Sequence, residues 1–384
     1  MAALTGNTVA ETYKDLLQVS NSNSGIDTAA RAVEDGEGTA SLLYLSTTEV
    51  YSPGTGGTSN TAFGKNAGDS LNTESNYNSF FGEDSGTAVT TGDYNTAMGY
   101  QALLTLTTGS LNIGIGSGAL KVITTADYNI GIGVDSMNAL VTGDRNTAVG
   151  HNSLMGSGYS LAYDKNVGIG AYSLRMAGSA SKNVAVGTYA MYKGSSAANN
   201  VGIGFEAMYE TTTATDNIAI GYQALKTNTT AVGNVAMGYQ ALTANTSGER
   251  NTASGYKAMA TNTTGGYNAA YGWGALTTNV SGSDNTGFGY GALHNNTDSS
   301  NTGIGYGGLY YNEGGTRNTA SGFQALYYNT SGDDNVGIGY YAARNNTTAD
   351  NNIGIGRSAL YANTTGTANV AVGSYALDAN TSGT

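Results

Sequence analysis

The feature that most constrains this chain is a phrase of 17 residues that it keeps repeating. Residues 234–250 read NVAMGYQALTANTSGER and residues 251–267 read NTASGYKAMATNTTGGY. With the opening Asn taken as position 1, the phrase occurs nineteen times, first at Asn60 and last at Asn369. Every step is 17 residues except 18 from Asn60 to Asn78, 20 from Asn146 to Asn166 and 16 from Asn285 to Asn301. A unit this short cannot enclose a core alone, so successive units must stack and share one.

Four columns of the repeat carry the physics. Position 5 is Gly in every copy, Gly99, Gly116, Gly133, Gly238, Gly255 and Gly339 among them. An unbroken Gly column predicts positive φ or the close approach of another backbone. Position 4 is mostly apolar (Ile115, Ile132, Val149) and position 9 is usually Leu or Met (Leu103, Leu120, Leu377), after a small residue at position 8. These two columns are expected to form the core. Positions 12–15 read NTTG or NTSG in the second half, a turn signature.

Each unit therefore offers two short β-capable segments separated by glycine-containing turns, neither long enough for an ordinary helix. The expected fold is all-β, a parallel β-solenoid (β-roll) of about nineteen 17-residue coils. The Asn column at position 1, with Asn95, Asn112, Asn129, Asn183, Asn234, Asn251 and Asn335, is expected to bond rung to rung as an amide ladder. At the strand spacing of ~4.8 Å such a stack is about 90 Å long. So narrow a coil leaves Ala, Tyr and Thr on its flanks. A parallel homotrimer hides them best, because a solenoid side face is not self-complementary under a two-fold axis.

Bulk composition narrows the function classes. A charged fraction of 11% with 58 Gly and one Pro (Pro53) is unlike an ordinary enzyme, and 28 Tyr are unlike a disordered chain. The net charge of −12 argues against a nucleic-acid partner. With no Cys there are neither disulfides nor thiolate metal sites. The opening MAALTGNTVAETYKDLL lacks the basic start and apolar run of a secretory signal. No run of about 18 apolar residues is present, so no transmembrane helix is expected.

The core N-[TV]-A-[IV]-G, seen as NTAVG at 146–150 and NVAVG at 183–187, resembles the head repeats of trimeric autotransporter adhesins. That resemblance covers residues 60–384 and implies a left-handed trimeric β-roll with one repeat per coil. The period here is longer than is usual in those heads. The opening segment is similar to the start of tailed-bacteriophage fibre proteins, in which a DG-[ED]-G-[ST] stretch and LxLST precede the shaft. The matching letters are Asp35, Gly36, Glu37, Gly38 and Thr39, then Leu43, Tyr44, Leu45, Ser46 and Thr47. An adhesin of the first kind needs a signal peptide, a stalk and a membrane anchor, whereas a virion fibre is made in the host cytoplasm and released by lysis. The fibre reading is therefore preferred.

On this reading residues 1–59 attach the fibre to the particle or cap the first coil, and residues 60–384 are the shaft. Residues 8–19, TVAETYKDLLQV, are expected to form one short helix opened by a Thr cap. The extra residues between Asn146 and Asn166 are read as a surface loop.

Position 6 is aromatic nine times running: Phe205, Tyr222, Tyr239, Tyr256, Trp273, Tyr290, Tyr306, Phe323 and Tyr340. The favoured reading is rings that stack on one another or pack between chains, at about 0.5–1.5 kcal/mol per contact. The rival is an exposed face that binds a host glycan. Ten Asn at position 12, from Asn228 to Asn380, mostly sit in N-x-[ST] sequons but read as turn chemistry. Thr pairs beside them, such as Thr229 with Thr230, are similar to the arrays of ice-binding solenoids, a distant third reading. Asp93, Asp127, Asp144, Asp216, Asp284 and Asp333 are read as turn formers, with no metal expected. His151 and His294 occupy different repeat positions and assemble no catalytic set.

The expected function is thus a structural virion fibre. It is a trimeric shaft anchored by its N-terminus, with itself, virion proteins and a host surface as partners, and with neither enzyme activity nor cofactor. A surface adhesin binding glycan or matrix through the aromatic ladder is the alternative.

Overall fold

The computed structural model describes residues 18–19, 31–34, 40–45, 50–51, 57–156 and 163–384. No helix occurs among them. The expected helix over 8–19 lies mostly outside the described residues, and its last two residues, Gln18–Val19, are a strand (β1). That strand joins an antiparallel sheet with β2 (Arg31–Glu34), β3 (Ala40–Leu45) and β4 (Val50–Tyr51), in the order β1-β2-β3-β4. Beyond it the chain divides into two compact units between Asp164 and Lys165, beside the longest step of the repeat.

In the first unit six coils each contribute one strand of three residues. These are β5 (Thr61–Phe63), β6 (Ser79–Phe81), β7 (Thr96–Met98), β8 (Ile113–Ile115), β9 (Ile130–Ile132) and β10 (Thr147–Val149). The second unit contributes thirteen, from β11 (Val167–Ile169) to β23 (Val370–Val372). Within each unit consecutive coil strands, from β5 onward, pair in parallel, residue against residue of the same repeat position. The register survives the irregular steps. Thr61 pairs Ser79 across the 18-residue step, and Thr286 pairs Thr302 across the 16-residue step. Length changes are absorbed by turns. Val370 and Val372, 64% and 67% exposed, mark a free edge, so the ladder is open. The architecture is a parallel β-solenoid.

The core differs from the expectation in one column. Position 4 does not face inward: Ile132, Ile169, Ile220 and Met237 are more than a third exposed. Position 3 is buried instead, as Ala97, Ala148, Ala185 and Ala236. The cause is parity. Side chains alternate across a strand, and the Asn of position 1 is buried, so position 3 points inward with it and positions 2 and 4 point out. Position 3 is small because it meets the position-9 side chain across a narrow interior. A Cβ on Gly114 would lie 3.2 Å from Leu103 Cγ. The one large exception, Phe80, is fully buried where Gly68 and Gly86 leave it room.

The second β-capable segment is not a strand. Position 7 and position 9 both take left-handed backbone, as in Gln240 (φ 54°) and Leu242 (φ 50°). Such residues cost roughly 1–2 kcal/mol each. Alternating hand aims their N–H groups along the stack. Gln240 N donates to Tyr222 O of one neighbouring coil (2.9 Å) and Leu242 N to Ala258 O of the other (3.0 Å). Bonds between coils offset local strain, and Leu242 is placed wholly inside.

Position 5 shows why only Gly is found there. Gly238 has φ 134°, and a Cβ on it would lie 2.5 Å from the carbonyl oxygen of Gly255 in the next coil. Backbone approaches backbone in the same way from rung to rung, with Gly373, whose Cβ would meet nothing within 4 Å, as an exception.

Candidate functional site

The interior is built by Asn, and it is structural. In coils of regular length the position-1 amide donates to the carbonyl of position 15, closing the loop, and in the irregular coils Asn60, Asn146 and Asn285 reach the carbonyls of Ser75, Tyr163 and Asp298. Asn95 Nδ2 to Gly109 O is 2.9 Å, Asn234 Nδ2 to Gly248 O is 2.9 Å and Asn335 Nδ2 to Ala349 O is 2.7 Å. The Oδ1 accepts the backbone N–H of the next Asn. Asn112 N to Asn95 Oδ1, Asn129 N to Asn112 Oδ1 and Asn200 N to Asn183 Oδ1 are each 3.0 Å, and Asn251 N to Asn234 Oδ1 is 2.9 Å. One side chain latches its own coil and stitches it to the next.

The position-12 Asn column of the second unit is also inside. Asn245 and Asn262 are fully buried. Asn262 Nδ2 donates to Asn245 Oδ1 at 2.8 Å and to Gly265 O at 3.0 Å. The amide that forms the NTTG turn thus faces its own turn and the neighbouring rung. The adjoining Thr hydroxyls are committed to carbonyls of the next coil, with Thr246 Oγ1 to Thr263 O at 3.1 Å and Thr347 Oγ1 to Thr364 O at 3.0 Å.

What the protein can present to a partner lies on the outer faces. The nine position-6 rings, from Phe205 through Tyr222, Tyr239, Tyr256, Trp273, Tyr290, Tyr306 and Phe323 to Tyr340, stand one above another. Successive centroids are 4.7–5.9 Å apart and interplanar angles are 4–13°. Each ring is 39–47% exposed. Because neighbouring rings cover the faces, edges and phenol hydroxyls meet the solvent. Positions 2 and 4 make a second face, apolar and outward in both units, with Phe81, Met98, Ile220, Phe288 and Ile338 exposed.

A third feature was not foreseen. Positions 10 and 11 of two successive coils carry Tyr310, Tyr311, Tyr327 and Tyr328. Tyr310 stacks on Tyr327 at 5.2 Å and Tyr311 on Tyr328 at 5.6 Å. Arg344 lies 4.9–5.4 Å from the rings of Tyr327, Tyr328 and Tyr341. Burial, then neighbouring phenols, pushes Tyr327 up to about 12. The signal for this column was present in the letters. Gly replaces the usual larger residue at position 7 in Gly274, Gly291 and Gly307, one coil before His294, Tyr310 and Tyr327. A Cβ on Gly291 would sit 2.9 Å from the Tyr310 ring, and one on Gly307 2.8 Å from the Tyr327 ring.

Charges on the surface form local pairs between coils. Lys226 Nζ lies 2.7 Å from Glu206 Oε2, which also accepts from Gln223 at 2.8 Å. Burial opposes ionisation of Glu206, but these two hydrogen bonds outweigh it and hold the carboxyl below the usual range. Arg317 forks onto Asp334 at 2.7 and 2.8 Å, and the Arg317 hydrogen bonds hold Asp334 below the usual carboxylate range. His294 packs between Trp273 and Tyr310, whereas His151 lies in the first unit beside Asn152. No known family, curated protein or solved structure matches this chain.

Proposed function

We propose that the chain is a structural fibre of a phage particle, a rigid trimeric shaft anchored through residues 1–59 and used in host-surface attachment, acting without catalysis or cofactor. The observation that carries this reading is the outward sheet face. Positions 2 and 4 repeat in unbroken register through thirteen strands of the second unit and six of the first. They put Ile, Val, Met, Phe and Tyr toward the solvent. An exposed stripe that is apolar at most rungs, with Thr and Ser at both outward positions in Thr252–Ser254 and Thr319–Ser321, marks an association surface. Its period is the same on every copy, so parallel copies around one axis match it rung for rung.

The position-6 column supports the shaft reading over the glycan-binding adhesin. A sugar stacks on the face of an aromatic ring, and here the faces are occupied by the next ring. Against the ice reading, the first Thr of pairs such as Thr229–Thr230 and Thr347–Thr348 commits its hydroxyl to a carbonyl of the next coil. The assignment to a virion rests on the resemblance of residues 35–47 to fibre openings, and makes the compartment the host cytoplasm during assembly.

Deleting residues 1–59 tests the reading. The truncated chain is expected to keep its assembled mass and β-sheet circular dichroism but to be missing from particles purified from the lysed host. Particles that incorporate it normally would contradict the assignment of that segment.

A further inference from the structure

The outer surface carries phenols in stacked pairs, one coil apart. Tyr77 and Tyr94 lie 4.9 Å apart with planes 11° from parallel. Tyr222 with Tyr239 and Tyr239 with Tyr256 are 5.1 and 5.2 Å apart, and Tyr290 with Tyr306 is 5.0 Å. All seven rings are 41–53% exposed. We propose that these pairs are oxidative modification sites, where a peroxide-fed one-electron oxidant joins tyrosines of successive coils as dityrosine.

The chemistry balances within the pair and the oxidant. Each phenol gives up one electron to the oxidant and its O–H proton to water. The two phenoxyl radicals form one carbon–carbon bond between ortho positions, and transfer of the two ring protons to the phenolic oxygens restores aromaticity. Peroxide accepts both electrons and takes up two protons, leaving as two waters. Coupling requires the ortho carbons to come together, so the rings must tilt out of their stack. Half-exposed side chains outside the core can do this. A partner held one coil away also outcompetes a second molecule in dilute solution, because its effective concentration is set by the fold.

The surroundings favour these pairs over the Tyr310–Tyr327 stack. The chain has no Cys, so no thiol intercepts the radical. Phe205 and Phe323 bracket the column and carry no phenol, which confines coupling to the rings between them. Tyr310 and Tyr327 are partly buried, and burial raises both above the ordinary phenol range, so they release a proton less readily. Trp273, 5.9 Å from Tyr256 and 4.7 Å from Tyr290, divides the column into two segments that couple separately.

The test treats dilute full-length chain with a haem peroxidase and limiting hydrogen peroxide. The expected result is dityrosine fluorescence with single-chain migration on a denaturing gel. Mass mapping should show peptides joined at Tyr77–Tyr94, at Tyr239 with either neighbour and at Tyr290–Tyr306, each link lighter by two hydrogens. The triple variant Tyr94→Phe, Tyr239→Phe, Tyr306→Phe keeps the stacked rings and is expected to lose several-fold in fluorescence yield. An unchanged yield in that variant, links chiefly between separate chains, or no dityrosine at all would overturn the proposal.

Discussion

The two units share one coil and differ in what fills position 12. The first buries Leu71, Val89, Leu106, Ile123 and Leu140, whereas the second passes through Ala177, Gly194 and Thr211 and then buries Asn at every rung from Asn228 to Asn363. The backbone turn is the same in both. Leu106 N donates to Leu103 O, and Asn245 N to Leu242 O. A buried Leu contributes about 1.5–3 kcal/mol through transfer from water, without regard to direction. A buried amide contributes about 0.5–1.5 kcal/mol net per hydrogen bond, but each bond fixes where its partner stands. Strands of three residues specify register weakly, so the second unit gives up some transfer energy for a second set of aligned rungs.

The largest effect tests what the units share. Gly238→Ala combines a strained φ with a clash against the next backbone and is expected to cost more than about 4 kcal/mol. Gly373→Ala, whose Cβ would meet nothing within 4 Å, is expected to cost only the strain, about 1–3 kcal/mol. Equal losses in urea melts would break the claim that coil-to-coil approach explains the Gly column. Next come the exchanges at position 12. Leu106→Asn places an amide in an apolar column and is expected to cost about 3–5 kcal/mol. Asn312→Leu removes the 2.7 Å bonds of Asn312 to Gly315 O and from Asn329 Nδ2, leaving these groups one partner each in Asn301 Nδ2 and Gly332 O, at about 1–3 kcal/mol. If either exchange is silent, the two columns are interchangeable and the comparison fails.

A gain is expected at the junction. Thr211 Oγ1 is buried and, among the described residues, has no hydrogen-bond partner. Thr211→Asn extends the amide ladder by one rung, with its Oδ1 placed to accept from Asn228 Nδ2, and should stabilise by about 1 kcal/mol. The smallest effect is a pH dependence. Glu206 is held below its ordinary range in the folded chain. Its contribution is therefore present above the unfolded carboxylate value and lost as pH falls through the folded one. Glu206→Gln should flatten that acid-side loss in thermal melts between neutral and acid pH.

Much of this architecture can be read from the letters, because period and column identity are sequence properties. The coil length, the Gly column and the Asn ladder all follow from counting. The inward face was misread because position 4 carries the larger apolar residues. Parity from the buried Asn, and the restriction of position 3 mainly to Ala or Gly, point the other way. The second strand was misread because propensity carries no information about alternating backbone hand, which bonds between coils impose. The tyrosine column at positions 10 and 11 is visible only when Gly291 is compared with Tyr310 one coil later. The letters of position 6 revealed an aromatic ladder, but only coordinates show that its ring faces are spent on one another.

The most direct test of the shaft reading is the mass and sedimentation of the full-length chain, by light scattering and analytical ultracentrifugation. The account predicts a particle of three chains that sediments as a strongly elongated body. A single chain at working concentration would contradict it, leaving the outward faces of positions 2 and 4 without their partner.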